Sequence, residues 1–414
     1  MIKFERFSLP NHLRVLFHKD ATSPMAVVNV LYDVGARDES PEKTGFAHLF
    51  EHLMFGGSVN IPDFDAPLQK AGGENNAFTS NDITNYYDVV PAVNLETALW
   101  LESDRMLSLA FTPRSLEVQR SVVIEEFKQR YLNQPYGDVW LELRPLIYKE
   151  HPYRWATIGK EIEHIEQATM EDVKHFFKRF YHPGNAILCI AGNLELDYVQ
   201  TVVEKWFGDI PSVGENLRNL PQEPTQTEYR EKTIERDVPS DGFYYAFRMV
   251  DRLHPDYLTC DVLSDVLGRD KSARLFTRLK KELQLVSEVN AYITGSLDSG
   301  LLVISGKLNP GVHFDALDDA LWNIIDDLNE APVSSKEMDR IMNKIRTSKA
   351  FQEQGLLNRA MALSMFELLG DAEMINQELD QYASITAHDL LRVGREVLQK
   401  NQCSLLKIKS RRND

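Results

Sequence analysis

The strongest constraint on this chain is that it is written twice. QATMEDVKHFFKRFYHPGNAILCIAGN (167–193) parallels ASITAHDLLRVGREVLQKNQCSLLKIK (383–409), and each reads as an amphipathic helix followed by an apolar strand. LQKAGGENNAFTSNDITNYYDVVP parallels LKKELQLVSEVNAYITGSLDSGLLVIS, anchored by Asn76-Ala77-Phe78 against Asn290-Ala291-Tyr292. GFAHLFEHLMFG parallels YLTCDVLSDVLG, which sets Cys260 opposite His48 and Ser264 opposite His52. The matches keep their order at an offset of about 212 to 217 residues, the mark of a duplicated domain rather than of chance helix patterns. Only the first copy carries the His pair. The expected fold is α+β: two homologous domains, each a mixed β-sheet covered by helices. Pro211, Pro221 and Pro224 punctuate a polar stretch with little apolar periodicity, so the expected division is 1–211, a linker at 212–232, and 233–414.

In the first copy, Phe4 to Leu9, Arg14 to His18 and Ala26 to Asp33 read as strands, and Ile187 to Ala191 as a buried one. From Thr44 the pattern turns helical through Phe46, Leu49, Leu53 and Met54, and Gly56-Gly57 closes that helix. Further helices are expected over Leu95 to Leu109 and after the Thr112-Pro113 start, the latter carrying Leu116, Val123, Phe127 and Leu132. The acidic run Asp315 to Asp327 interleaves with Leu317, Leu321 and Ile325 and reads as the wet face of an amphipathic helix.

Composition narrows the partners. With 46 Lys plus Arg against 62 Asp plus Glu, the net charge of −16 disfavours nucleic acid and anionic membrane surfaces and leaves basic or extended polypeptides. No apolar run approaches the ~20 residues of a membrane span. MIKFERFSLP lacks a charged-then-apolar signal pattern, so a cytoplasmic chain is expected, or a periplasmic one if a signal preceded it. Cys189, Cys260 and Cys403 are odd in number, widely separated and in apolar surroundings, which reads as buried structural thiols. Without a CxxC pair, any metal site must use His and carboxylates.

The stretch that carries chemistry is His48-Leu49-Phe50-Glu51-His52. Residues i and i+4 of a helix share a face, so both imidazoles can reach one ion, and Glu51 lies beside that face. Zinc lowers the pKa of a water it holds towards ~7, and a neighbouring carboxylate can take the proton as that water attacks a carbonyl. Two histidines are too few for a catalytic zinc site. The third ligand is sought in SVVIEEFKQR, where Glu125 and Glu126 are both available. With Val122, Val123 and Phe127 marking the buried side, Glu126 is favoured.

HLFEH, NNAFTSNDITNYYDVV and RSVVIEEFKQR, in that order, resemble the pitrilysin/insulinase family of inverted-motif (HxxEH) zinc peptidases. The likeness covers the whole chain, duplication and linker included, and is strongest to bacterial members of about 45 kDa similar to the mitochondrial processing peptidase β subunit. It implies one zinc ion per chain held by His48, His52 and Glu126, with Glu51 as general base. It also implies that Asn76, Ala77 and Phe78 form an edge strand that binds an extended peptide through its main chain. In the family a further Glu often stands seven residues before the ligand Glu; here Gln119 occupies that place and can still hydrogen-bond.

The second half departs from the family. Members acting as one chain or as homodimers usually carry RLFxxLREKxGLxYSV, whose Arg and Tyr bind substrate. This chain reads RLFTRLKKELQLVSEV, with Lys280 at the Arg position and Ser287 at the Tyr position. Lys supplies charge without the bidentate fork, and Ser is too short to replace a phenol. The expectation is therefore a zinc endopeptidase acting on peptides or unfolded segments in a chamber formed by two chains. A paralogous subunit carrying the Arg/Tyr pair could complete a heterodimer. The alternative is a non-catalytic assembly subunit of a processing-peptidase-like complex. Tyr292 reads as core, and His151 and His182, each before Pro, as turn residues.

Overall fold

The computed structural model describes residues 1–214 and 218–411, so positions 215–217 of the expected linker lie outside the described residues. Among those described, eleven strands form two mixed sheets. β1 (Glu5–Ser8), β2 (Arg14–Lys19), β3 (Met25–Tyr32), β4 (Glu74–Thr79), β5 (Thr84–Pro91) and β6 (Ala186–Gly192) run in the order β1-β2-β6-β3-β5-β4. β7 (Arg230–Arg236), β8 (Gly242–Arg248), β9 (Val286–Ile293), β10 (Leu301–Leu308) and β11 (Cys403–Ser410) run in the order β7-β11-β8-β10-β9. Without β1 the two orders coincide. In each sheet one pair is parallel, β2 with β6 and β7 with β11, and the remaining pairs are antiparallel.

The duplication extends to local chemistry. Thr169 and Asp172 form a capping box that starts the helix Met170–Phe180, and Thr386 and Asp389 form the same box for Ala387–Val397. Each helix is followed by a short 3-10 turn and then by the central strand β6 or β11.

Contacts divide the chain into two compact units, neither continuous in sequence. One holds Met1–Gln129, Trp155–Pro221 and Lys349–Gln377; the other holds Arg130–Arg154, Gln222–Ser348 and Glu378–Asp414. The linker punctuation at 212–232 gives no hint of these exchanges, which follow from how each sheet is buried. Side chains alternate across a strand, so a sheet whose strands are apolar on both faces needs two covers. In the second unit, Leu302, Ile304 and Leu405 join the core under Tyr257–Leu267, Phe314–Glu330 and Ala387–Val397. Val303, Leu406 and Ile408 face the other way, onto Val139, Leu143 and Ile147 of the helix Val139–Ile147. In the first unit, Leu16, Val27, Leu31, Ile187 and Cys189 are covered by Ala360, Leu363 and Phe366 of the helix Leu356–Leu368. Asn29 ties that helix down, donating to Ser364 Oγ at 3.0 Å and exchanging amide hydrogen bonds with Asn85.

The stretch expected as a linker carries structure of its own. In the first unit Arg218 donates to Asp38 and Asp33, both at 2.6 Å. In the second, Glu223 accepts the backbone N–H groups of Lys149, Glu150 and His151 at 2.8 to 2.9 Å, and β7 already begins at Arg230. All three cysteines are buried thiols, and the acidic run is the exposed side of Phe314–Glu330, with Leu317, Leu321 and Ile325 buried.

Candidate metal centre

The motif helix Phe46–Leu53 is amphipathic in the way its sequence dictates. Leu49, Phe50 and Leu53 are buried, and Phe50 packs its ring on Phe176 and Tyr181 at 4.8 and 5.1 Å between centroids. That leaves His48 and His52 on the less buried side, their rings edge-to-face with centroids 4.9 Å apart.

The second contributor is the helix Pro113–Glu126. Thr112 caps it by accepting the Ser115 N–H at 3.0 Å, with Pro113 at the first helical position, where a missing N–H costs nothing. Its buried stripe runs through Leu116 and Val123 and on to Phe127. Val122, expected on that side, is 43% exposed, because the stripe follows Val123 and its neighbour is rotated about a quarter-turn away. Glu126, three residues beyond Val123, stays at the edge of the stripe. Its Oε2 lies 3.4 Å from His52 Nε2 and 3.7 Å from His48 Nε2. Glu125 points elsewhere, 60% exposed and paired with Lys128.

The potential ligand atoms of His48, His52 and Glu126 all lie within 4.8 Å of one another, and this is the one such group among the described residues. Their side chains keep 13%, 23% and 17% exposure, sheltered yet reachable by a small molecule. Two imidazole nitrogens and a carboxylate oxygen are a donor set that suits a three-ligand zinc site.

Glu51 stands next to this group. The Thr79 hydroxyl, at the end of edge strand β4, donates to Glu51 Oε2 at 2.5 Å. Burial pushes the Glu51 carboxyl above the ordinary carboxylate range, against the opposing pull of the Thr79 hydroxyl and His52, and the Glu126 charge adds to the rise.

β4 has β5 as its one neighbour and closes the sheet. Its side chains alternate, with Asn76 and Phe78 exposed and Ala77 half-buried, and the Ala77 N–H is held by the Asn76 side chain at 2.8 Å. Below the hairpin lies a charged core. Arg105 is fully buried, forks onto Glu102, and stacks over the rings of Phe64 and Tyr86 at 4.4 Å. Asp88 of β5 is buried beside Glu102, and burial drives its carboxyl well above the ordinary carboxylate range.

Other expected site residues lie as follows. Gln119 is half-buried, two turns before Glu126 on the same helix. Lys280, on the π-helical turn Phe276–Glu282, donates to the main-chain carbonyl of Ser287 on β9, so the two divergent positions touch each other. Tyr292 packs against the core under Val139–Ile147. His151 is buried, accepts the Tyr153 N–H and lies 3.3 Å from Asp298. The sequence reading missed Thr79, whose hydroxyl in a polar strand gives no distinguishing signal. It also missed Glu102 and Arg105, although a charged pair on the apolar side of ALWLESDRML was a usable one.

The sequence matches two family profiles: that of insulinase (peptidase family M16) over residues 14–145, and that of the peptidase M16 inactive domain over 167–345. The zinc protease PqqE of Helicobacter pylori is 27% identical over 413 residues, spanning 98% of this chain and 93% of that protein. A probable mitochondrial-processing peptidase subunit beta of Schizosaccharomyces pombe is 25% identical over 96% of this chain and 89% of its own length. Among solved structures, a protease from Helicobacter pylori matches with a TM-score of 0.92 at 27% identity, covering 99% of this chain and all of that one. A peptidase M16 inactive domain from Pseudomonas fluorescens, 18% identical with a TM-score of 0.88, shares the fold. Duplicated sheet-and-helix halves, with a His–His–Glu group in the first, define a two-domain peptidase-type class. The chain belongs to the insulinase (M16) peptidase family, whose relatives here include named zinc proteases.

Proposed function

We propose that this chain is a zinc-dependent endopeptidase with one zinc ion per chain, held by His48, His52 and Glu126, and with Glu51 as general base. The observation that carries the reading is the convergence of those three donor groups within 4.8 Å, with Glu51 beside them and tied to the edge strand through Thr79. When bound, the ion supplies Lewis-acid activation of water and of the scissile carbonyl. Asn76, Ala77 and Phe78 hold an extended peptide along the outer edge of β4 by main-chain pairing, displacing the Asn76 side chain from the Ala77 N–H. Glu51 takes a proton from the attacking water and returns it to the leaving amine, and its raised affinity for protons favours that exchange.

Substrates in this reading are peptides or unfolded segments, cleaved within a chamber formed by two chains. Lys280 contributes charge to substrate without the guanidinium fork, and its contact with the Ser287 carbonyl supports a partner subunit that brings the missing Arg and Tyr. The same contact favours a second reading, a non-catalytic assembly subunit. Metal content separates them: about one zinc per chain is expected, lost in Glu126→Ala, whereas a preparation that never takes zinc would leave only the assembly role.

A further inference from the structure

The motif helix has no cap of its own. Gly45 precedes it with φ of 86° and offers no side chain, and a Cβ there would sit 2.7 Å from the Ile158 carbonyl, so no Ser, Thr or Asp could take the position. The first-turn N–H groups of a helix nevertheless need acceptors. Glu39, six positions before Gly45 and 7% exposed, meets two of the N–H groups at this end: it accepts that of the cap residue Gly45 on Oε2 and that of Ala47 on Oε1, both at 2.8 Å. Both carboxylate oxygens are thereby spent on the backbone that leads directly into His48.

Glu39 is itself held. The turn before it is closed by Asp38, which accepts the Gly35 N–H at 3.0 Å and is gripped by Arg218. The Trp155 indole N–H donates to the Ala36 carbonyl at 2.9 Å on the same turn. The lead-in to the helix is fixed from the other side, where Thr44 donates its N–H to His164 and accepts the Lys160 N–H at 2.8 Å. A helix of eight residues rotates and shifts as one body, so whatever fixes its first turn fixes the direction of both imidazoles and of Glu51.

We propose that Glu39 is a positioning residue for the metal-binding face of the motif helix, setting the aim of His48, Glu51 and His52 through the backbone. The inference rests on the zinc peptidase reading above. Gln is the informative replacement: it keeps the shape but turns one of the two acceptors into an NH₂ donor facing a backbone N–H. In the full-length chain, Glu39→Gln is expected to weaken zinc binding about 10-fold or more, read by competition with a chromogenic chelator, and to lower kcat with KM unchanged. Its metal-free form should remain folded. In the metal-free wild type, the Gly45 and Ala47 amides should exchange with deuterium as slowly as the mid-helix amides, a readout that needs no variant to fold. Fast exchange at those two amides overturns the proposal, as does a folded Glu39→Gln variant with wild-type zinc affinity and kcat. A wild type that takes no zinc overturns the underlying reading instead, and is recognised before any variant is compared.

Discussion

In the first copy His48 and His52 keep 13% and 23% side-chain exposure, while Cys260 and Ser264, opposite them in the second copy, are fully buried. At the same offset Leu263, also fully buried, stands where the first copy has Glu51. Apart from β1, the sheets behind the two helices share one strand order, so topology does not account for the difference. In the second copy that face has become core. Burial pushes the Cys260 thiol up to about 12, Ser264 turns its hydroxyl back onto the Asp261 carbonyl, and Gly268 brings the helix end so close to β9 that a Cβ would meet the Ala291 nitrogen at 2.5 Å. In the first copy the corresponding gap is bridged by polar atoms, Thr79 to Glu51. A duplicated domain thus keeps its topology while one copy trades a polar cleft for packing, and the two states are mutually exclusive at the same positions.

The largest effect should come from forcing the exchange. Replacing Cys260→His and Ser264→His together inserts two imidazoles into a closed core, at about 1–3 kcal/mol each for overpacking and as much again for unpaired polar atoms. The second unit should unfold at markedly lower denaturant, with zinc remaining at one per chain. A stable variant holding two zinc ions would show that the second copy retains a latent site. Next come the exchanged helices. Leu363→Ala and Leu143→Ala, both at fully buried positions, should each cost about 2–5 kcal/mol, the first in the unit built on β1–β6 and the second in the unit built on β7–β11, resolved by residue-level hydrogen exchange.

A smaller change should follow Lys280→Arg with Ser287→Tyr. If those positions limit the single chain, the pair should raise its turnover by up to about 10²-fold, the scale of one regained transition-state donor, and unchanged turnover would remove the case for a missing partner. The smallest effect concerns pH. His18 and His182, both in the first unit, are held below the ordinary imidazole value chiefly by burial. Unfolding lets them bind protons more readily, so their stabilising contribution is full above about pH 6.5 and is lost as pH falls through that value towards their lower folded pKa values. A His18→Gln/His182→Gln variant should therefore lose less melting temperature than wild type between about pH 7 and pH 5, and an equal loss in the two would remove these histidines from the acid response.

Much of this was legible in the residues, for identifiable reasons. The duplication shows as repeated helix-then-strand periodicity, and the matching strand orders are its three-dimensional form. The histidine pair shows because i, i+4 spacing is a helix property. Other features were hidden because they depend on contacts distant in sequence. Nothing local to Val139–Ile147 or Leu356–Leu368 says which sheet each will cover. Glu126 was favoured over Glu125 partly through Val122, which is exposed; Val123 and Phe127 were the sound part of that inference. Glu39 was invisible because its partners are backbone groups, which carry no sequence signature.

The most direct measurement is zinc content together with hydrolysis of a quenched-fluorescence peptide mixture, for the wild type and for Glu51→Gln, with the proposed partner supplied if the single chain is silent. Glu51→Gln should keep about one zinc ion per chain while losing at least about 10²-fold in turnover, the scale of general acid–base catalysis. A variant that holds zinc and retains more than about a tenth of the wild-type rate would contradict the role assigned to Glu51, and with it the chemistry proposed for the first copy.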